Sequence, residues 1–101
     1  MSGGTSVTGV TGGTDRVIAL MWEARAVRGR GAELLAWART RELPGEPLRR
    51  ESFAAGEDRV LVITWWRADG TGAEPPELPE PAAELIVRPV HRWRFESLGT
   101  G

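Results

Sequence analysis

The side chains best suited to chemistry lie close together near the end of the chain, in the stretch His91-Arg92-Trp93-Arg94. His91 is the only histidine, and because an imidazole titrates near neutral pH it could act as a general base. Arg92 and Arg94 could bind a carboxylate, a phenolate or a phosphate through paired hydrogen bonds. Each residue also has a structural alternative: His91 as a packed, hydrogen-bonded side chain, and the two arginines as a solvated face.

Tryptophans provide the flat apolar surfaces that an aromatic ligand would need. Four of them, Trp22, Trp65, Trp66 and Trp93, fall in stretches that we predict to be strands. Aromatic pairs across neighbouring strands stabilise a sheet, so packing is one role for these side chains. The other role is to line a pocket, with Trp22 and Trp66 as its walls.

The composition excludes several kinds of site. The chain has no cysteine, and all 13 basic residues are arginine, so thiol and Schiff-base chemistry are absent. A single histidine does not make a metal site without carboxylate partners, and the acids Glu74, Glu77 and Glu80 lie in a proline-rich loop that is too irregular to supply them. We therefore predict no metal and no cofactor.

Charge and hydropathy limit the partners and the compartment. The formal net charge is -1, which argues against nucleic-acid and anionic-membrane partners. No apolar run approaches the roughly 20 residues of a membrane helix. Residues 1–15 have neither a basic start nor a continuous apolar stretch, so we interpret them as a flexible tail and expect a cytoplasmic protein.

Hydrophobic periodicity divides residues 16–98, a single predicted domain, into six elements. Apolar residues on both faces indicate strands, and apolar residues on one stripe indicate a helix. Proline suits the first turn of a helix, so Pro81 could begin a second one. The predicted order is a strand at 16–27, a helix at 32–42, strands at 48–55 and 60–67, a loop at 68–81, a short helix at 81–87 and a strand at 91–97.

This β-α-β-β-α-β order is the ferredoxin-like arrangement, an α+β fold with a four-stranded antiparallel sheet. The helices of such a fold cover one face of the sheet and leave the other face open. Successive side chains of a strand point to opposite faces, so Trp65 and Trp66 must lie on different sides. A large open apolar face is unusual in a monomer, and we therefore predict a homodimer through this face.

The chain resembles the dimeric α/β-barrel superfamily, in particular its antibiotic-biosynthesis-monooxygenase-like branch, over residues 16–97. The resemblance rests on the strand order, the length, Thr64-Trp65-Trp66 at the end of the third strand, and a last strand that follows a histidine. It implies that two sheets close into an α/β barrel. Some members oxidise aromatic polyketides with molecular oxygen and no cofactor, others degrade haem with an Asn, a Trp and a His, and others have no known reaction.

Two functions follow from the sequence and the resemblance. In the first, the dimer binds or oxidises a small hydrophobic, polyketide-like aromatic molecule: Trp22 and Trp66 wall the pocket, His91 moves a proton, and Arg92 or Arg94 stabilises an oxyanion. In the second, the dimer binds a ligand or a partner without catalysis. The family's active patterns use Asn or Tyr, and this chain has neither, so the second function is favoured and haem degradation is not expected.

Overall fold

The computed structural model describes residues 16–68 and 74–99. The predicted tail at 1–15 and the centre of the predicted loop, 69–73, lie outside these residues. Within them, no helix is long and apolar enough to cross a membrane. The described elements are β1 (Val17–Arg25), α1 (Gly31–Thr40), β2 (Arg49–Ala55), β3 (Arg59–Arg67), a 3-10 turn (Ala83–Leu85) and β4 (His91–Ser97).

The four strands form one antiparallel sheet in the order β2-β3-β1-β4. The predicted α+β class and the four-stranded antiparallel sheet are confirmed, and the arrangement is compatible with a ferredoxin-like fold. β1 lies in the interior of the sheet, with β3 on one side and β4 on the other. This position explains why its sequence, Val17-Ile-Ala-Leu-Met-Trp22, is apolar on both faces.

The predicted second helix at 81–87 is wrong, because only the single 3-10 turn Ala83–Leu85 forms there. The segment instead pairs with the last residue of β1 and the two residues after it: Val27 N–H donates to the carbonyl of Leu85, and Val87 N–H donates to the carbonyl of Arg25. Ile86 also forms a β-bridge with Ala26. A seven-residue helix is too short to be stable by itself, so backbone groups that can join a sheet do so.

The two faces of the sheet differ in what covers them. The even-numbered residues of β1 and β3 point toward α1 and form the buried core with Leu34 and Ala38 of the helix. We call the face toward α1 the inner face. Trp66 lies on it, buried beside Ile18 and Leu20. Trp65 points to the opposite face, which no helix covers in the described part of the chain, and there it stays partly exposed. We call this second face the open face.

The β2–β3 turn is attached to the start of α1 by one carboxylate. Asp58 accepts hydrogen bonds from Gly29 N–H at 2.9 Å and from Gly31 N–H at 3.0 Å. Its own backbone carbonyl accepts from Ala26 N–H at 2.8 Å. The helix has no side-chain cap of its own at Arg30, so Asp58 satisfies amide groups that would otherwise lack partners.

Gly31→Ala should lower stability, because a Cβ at this position would lie 2.8 Å from Oδ1 of Asp58 and 2.9 Å from its Cα. Overpacking of this kind costs about 1–3 kcal/mol. We expect a fall in Tm of at least ~4 °C in thermal unfolding, since 1 kcal/mol shifts a domain of this size by about 4–8 °C. Gly56→Ala is the matched control, since nothing lies within 4 Å of a Cβ there. Equal melting of both variants would contradict the close packing of Gly31 against Asp58.

Candidate functional site

Three rows of side chains cross the open face from β2 to β4. The strand registers place each row on directly paired residues, so its members are neighbours on one surface. Most side chains in these three rows are apolar. The charged ones are Arg49 and Glu51 on β2 and Glu23 on β1. From one end of the sheet to the other, the rows are Phe53–Leu61–Glu23–His91, Glu51–Ile63–Met21–Trp93 and Arg49–Trp65–Ala19–Phe95.

The aromatic side chains on this face are not covered by the rest of the described chain. Phe53, Trp93 and Phe95 are exposed large hydrophobic residues, with Phe95 half accessible to solvent. Together with the partly exposed Met21 and Ile63 they form one continuous apolar patch. A contiguous exposed patch of this kind marks an interaction surface in a folded protein.

Glu23 is the one charged residue of β1 that is buried, at 6% exposure. Its carboxylate accepts two hydrogen bonds from Nη2 of Arg88, at 2.7 and 2.9 Å. It accepts a third from Nε of Arg59, at 3.1 Å. A buried carboxylate needs such partners, because an unpaired charge away from water is strongly destabilising.

The surroundings of Glu23 act on its pKa in opposite directions. Burial raises the pKa, because it removes water from the carboxylate. Hydrogen bonds from Arg88 and Arg59, and the positive charges of both, outweigh burial and lower the pKa of Glu23 below its ordinary value of 4.5. Glu23 is therefore ionised at neutral pH and joins the segment before β4 to β3.

His91 lies next to this carboxylate, at the same end of the open face. Its Nδ1 is 3.5 Å from Oε1 of Glu23, which is longer than a normal hydrogen bond. Its ring meets Trp93 edge-on, with the ring centroids 5.6 Å apart. The side chain is half exposed, so one edge of the imidazole can be reached by solvent or by a ligand.

The two tryptophans predicted as pocket walls are part of the core on the inner face. Trp22 is 3% exposed, stacks on Trp37 with centroids 6.0 Å apart, and donates from Nε1 to the carbonyl of Pro79 at 3.3 Å. Trp66 is 7% exposed and donates from Nε1 to Oγ1 of Thr64 at 2.9 Å. Protein atoms surround both indoles, so these two tryptophans pack the core and do not line a pocket within one copy.

Arg92 and Arg94 also point to the inner face, where they hold the proline-rich residues 74–81, here called the strap. Arg94 pairs with Glu74. Arg92 pairs with Glu77 at 3.0 Å and donates to the carbonyl of Leu78 at 2.7 Å. The sequence led us to expect either a solvated face or an anion site, and in the structure the chain's own acids occupy this position.

The five predicted site residues therefore lie on two sides of one sheet. His91 is on the open face, and Trp22, Trp66, Arg92 and Arg94 are on the inner face. Within one copy of the chain they do not surround a common space. Sequence reasoning missed Glu23, Arg59 and Arg88. The sequence offered one signal for this group, the acid Glu23 directly after the apolar residues 17–22 of β1.

Four cavities around the described residues do not join these groups either. The largest of these four, about 590 Å³, lies beside Arg25, Arg28 and Asp58. A second of about 440 Å³ lies between α1 and β2, and a third of about 260 Å³ adjoins the 3-10 turn. The fourth, about 100 Å³, lies between Glu23 and Phe53 at the end of the open face. None of these four is lined by His91 or by a tryptophan.

No protein-family model, no curated protein and no solved structure matches this chain. The resemblance to the dimeric α/β-barrel superfamily thus stays a prediction. Among the described residues, no group of three or more His, Asp or Glu side chains is placed to hold a metal ion.

Glu23→Gln should destabilise the protein by about 1–3 kcal/mol at pH 7, because the amide has no charge to pair with Arg88 and Arg59 and one acceptor oxygen where the carboxylate has two. The folded-state pKa of Glu23 is lowered, so its stabilising effect is complete above the ordinary pKa of 4.5 and is lost as pH falls through the folded value. Thermal unfolding from pH 7 to pH 3 should show the Tm difference between wild type and variant shrinking below about pH 4.5.

Glu51→Gln is the matched control, because Glu51 lies on the same face in an exposed pair with Arg49. Exposed pairs contribute less than about 1 kcal/mol. A Glu23→Gln protein that melts like the Glu51→Gln protein at pH 7 would contradict the role assigned to Glu23.

Proposed function

We propose that this chain is a non-catalytic binding protein that works as a homodimer, with the open faces of two copies stacked into an α/β barrel. The apolar patch on the open face is the observation that carries this proposal. Stacked sheets lie about 10 Å apart with their side chains interdigitated, and the mixture of large and small residues across the three rows suits that packing. The cytoplasm is its predicted compartment.

The size of the open face supports a second copy as its occupant. Four strands spaced about 4.8 Å apart, each about seven residues long, present on the order of 400 Å² in projection. Protruding side chains such as Trp93 and Phe95 raise the accessible area toward the roughly 800 Å² that each partner contributes to a standard interface. A face of this area is large enough for a stable dimer of a small domain.

Both carboxylates of the three rows are already paired within one copy. Glu23 lies between Arg59 and Arg88, and Glu51 pairs with Arg49 at 2.6 Å. Stacking therefore buries no unpaired carboxylate between the sheets, which would otherwise be costly. The guanidinium of Arg49 also lies 5.6 Å from the ring centre of Trp65, so this charge flanks the patch.

The absence of catalysis is supported by the division of the predicted residues between the two faces. A general base needs a substrate-binding surface within hydrogen-bond reach. His91 is separated by the sheet from Trp66 and from Arg94, which fill space or hold the strap. Binding, rather than oxidation, is the role that this arrangement favours.

Phe95→Glu should convert the dimer to a monomer, because it replaces an exposed aromatic ring of the open face by a charge that stacking would bury. Light scattering at micromolar concentration should give twice the 11.0 kDa chain mass for wild type and the single mass for the variant. Val87→Glu is the control, since Val87 is an exposed apolar residue outside the sheet. A monomeric wild type, or equal dissociation by both variants, would contradict the proposal.

A second candidate function is proton transfer to or from an aromatic molecule, favoured by the position of His91. Its ring lies between the ionised Glu23 and Trp93, on the apolar face. A carboxylate beside one ring nitrogen can orient the other toward a substrate hydroxyl. This arrangement needs no cofactor, and the substrate would be a small hydrophobic phenol or a polyketide-like molecule.

His91→Ala should weaken binding of 2-naphthol, measured by fluorescence titration, at least ~5-fold if this second function holds. Its Tm should change by less than about 4 °C, because the side chain is half exposed and removal leaves no cavity. Arg92→Gln, on the other face, should leave the affinity unchanged. A wild type without saturable binding, or an unaffected His91→Ala protein, would eliminate this candidate.

A further inference from the structure

The strap lies across the inner face of β4 in a regular alignment. Glu74 meets Arg94, Glu77 meets Arg92, and Oε2 of Glu80 accepts from Val90 N–H at 2.9 Å. The strap positions increase by three, from 74 to 80, while their partners decrease by two, from Arg94 through Arg92 to Val90, the residue before β4. The strap and β4 therefore run antiparallel.

The three-residue spacing of the acids has a physical cause. The strap sequence, Glu-Pro-Pro-Glu-Leu-Pro-Glu-Pro, is half proline, and it forms no helix or strand in the structure. Chains rich in proline adopt the polyproline II conformation, which has three residues per turn. Residues three apart then lie on one side, so all three glutamates face the arginines of β4.

The other side of the strap enters the core. Leu78 and Pro81 are buried, and Leu78 packs in the cluster that contains Trp22. The backbone of the strap is also recognised: Nε1 of Trp22 donates to the carbonyl of Pro79, and Nη1 of Arg92 donates to that of Leu78. Apolar pockets beside aromatic rings, with donors aimed at the carbonyls, are the means by which proline-rich ligands are bound by other proteins.

We propose that the inner face of β4 is a polyproline II groove, occupied by the chain's own strap, which also binds acidic proline-rich segments of other proteins. Its ligand has an acid at every third position and a leucine after the central acid. Trp22 and Arg92 read the backbone, and Arg92 and Arg94 read the acids. The groove lies on the opposite side of the sheet from the open face, so this proposal stands independently of dimerisation.

The strap is suited to exchange, because its ion pairs are weak. The side chains of Glu74, Glu77 and Glu80 are about half exposed or more, and exposed ion pairs contribute little to stability. The strap is favoured chiefly by Leu78 and by its covalent attachment, which gives it a high effective concentration. A variant that loses the leucine anchor should therefore accept the same sequence from outside.

The test uses the full chain with Leu78→Ala and a capped peptide of the strap sequence, EPPELPEP. Thermal unfolding should show a lower Tm for the variant, and peptide at tenfold above its Kd should raise that Tm by ~5–10 °C. The same peptide with alanine in place of leucine should give no shift, and wild type, whose own strap competes for the groove, should show a smaller shift than the variant. No shift in the variant, or equal shifts with both peptides, would overturn the proposal.

A second variant covers the case in which Leu78→Ala does not fold. A chain carrying Glu74→Gln, Glu77→Gln and Glu80→Gln keeps the leucine anchor and loses the acids of the strap. Fluorescence anisotropy should show that labelled EPPELPEP binds this chain at least ~5-fold more tightly than wild type, with the difference lost in 0.5 M salt. Equal affinity for both chains would overturn the proposal.

Discussion

The sheet has two apolar faces, and the described chain has material to cover only one of them. β1 causes this, because it is paired on both sides and apolar on both faces. A small domain buries a modest fraction of its surface, so a single helix cannot enclose such a strand. The inner face receives α1 and the strap, and the open face is left for a partner.

Ion pairs form at the two places where the apolar surfaces of the sheet are incompletely covered. On the inner face, β4 presents Arg92 and Arg94 beyond the reach of α1, and the acids of the strap pair with them. At the end of the open face, Glu23 is buried between strands and held ionised by Arg59 and Arg88. In both places charged side chains lie at the edge of an apolar surface, and pairing with an opposite charge makes their burial tolerable.

Local periodicity was enough to predict the sheet, because alternation along a strand is set by the pleat and is visible in one segment. β4 begins and ends at the residues predicted, His91 and Ser97. The predicted second helix does not form, because Leu85 and Val87 bond to Val27 and Arg25. These partners lie about 60 residues earlier in the chain, where no local pattern reveals them. The grouping of Glu23 with Arg88 was hidden for the same reason, since it joins elements that are distant in sequence.

A second copy that covers the open face can be detected by a distance measured between the two copies. A spin label at Ala36→Cys lies on the exposed side of α1, away from both faces of the sheet, and the chain has no other cysteine. Stacked open faces place the helices outside, so double electron–electron resonance should give a label separation of at least roughly 30 Å, from about 10 Å per layer. A separation below about 20 Å, or no dipolar signal between copies, would contradict the account.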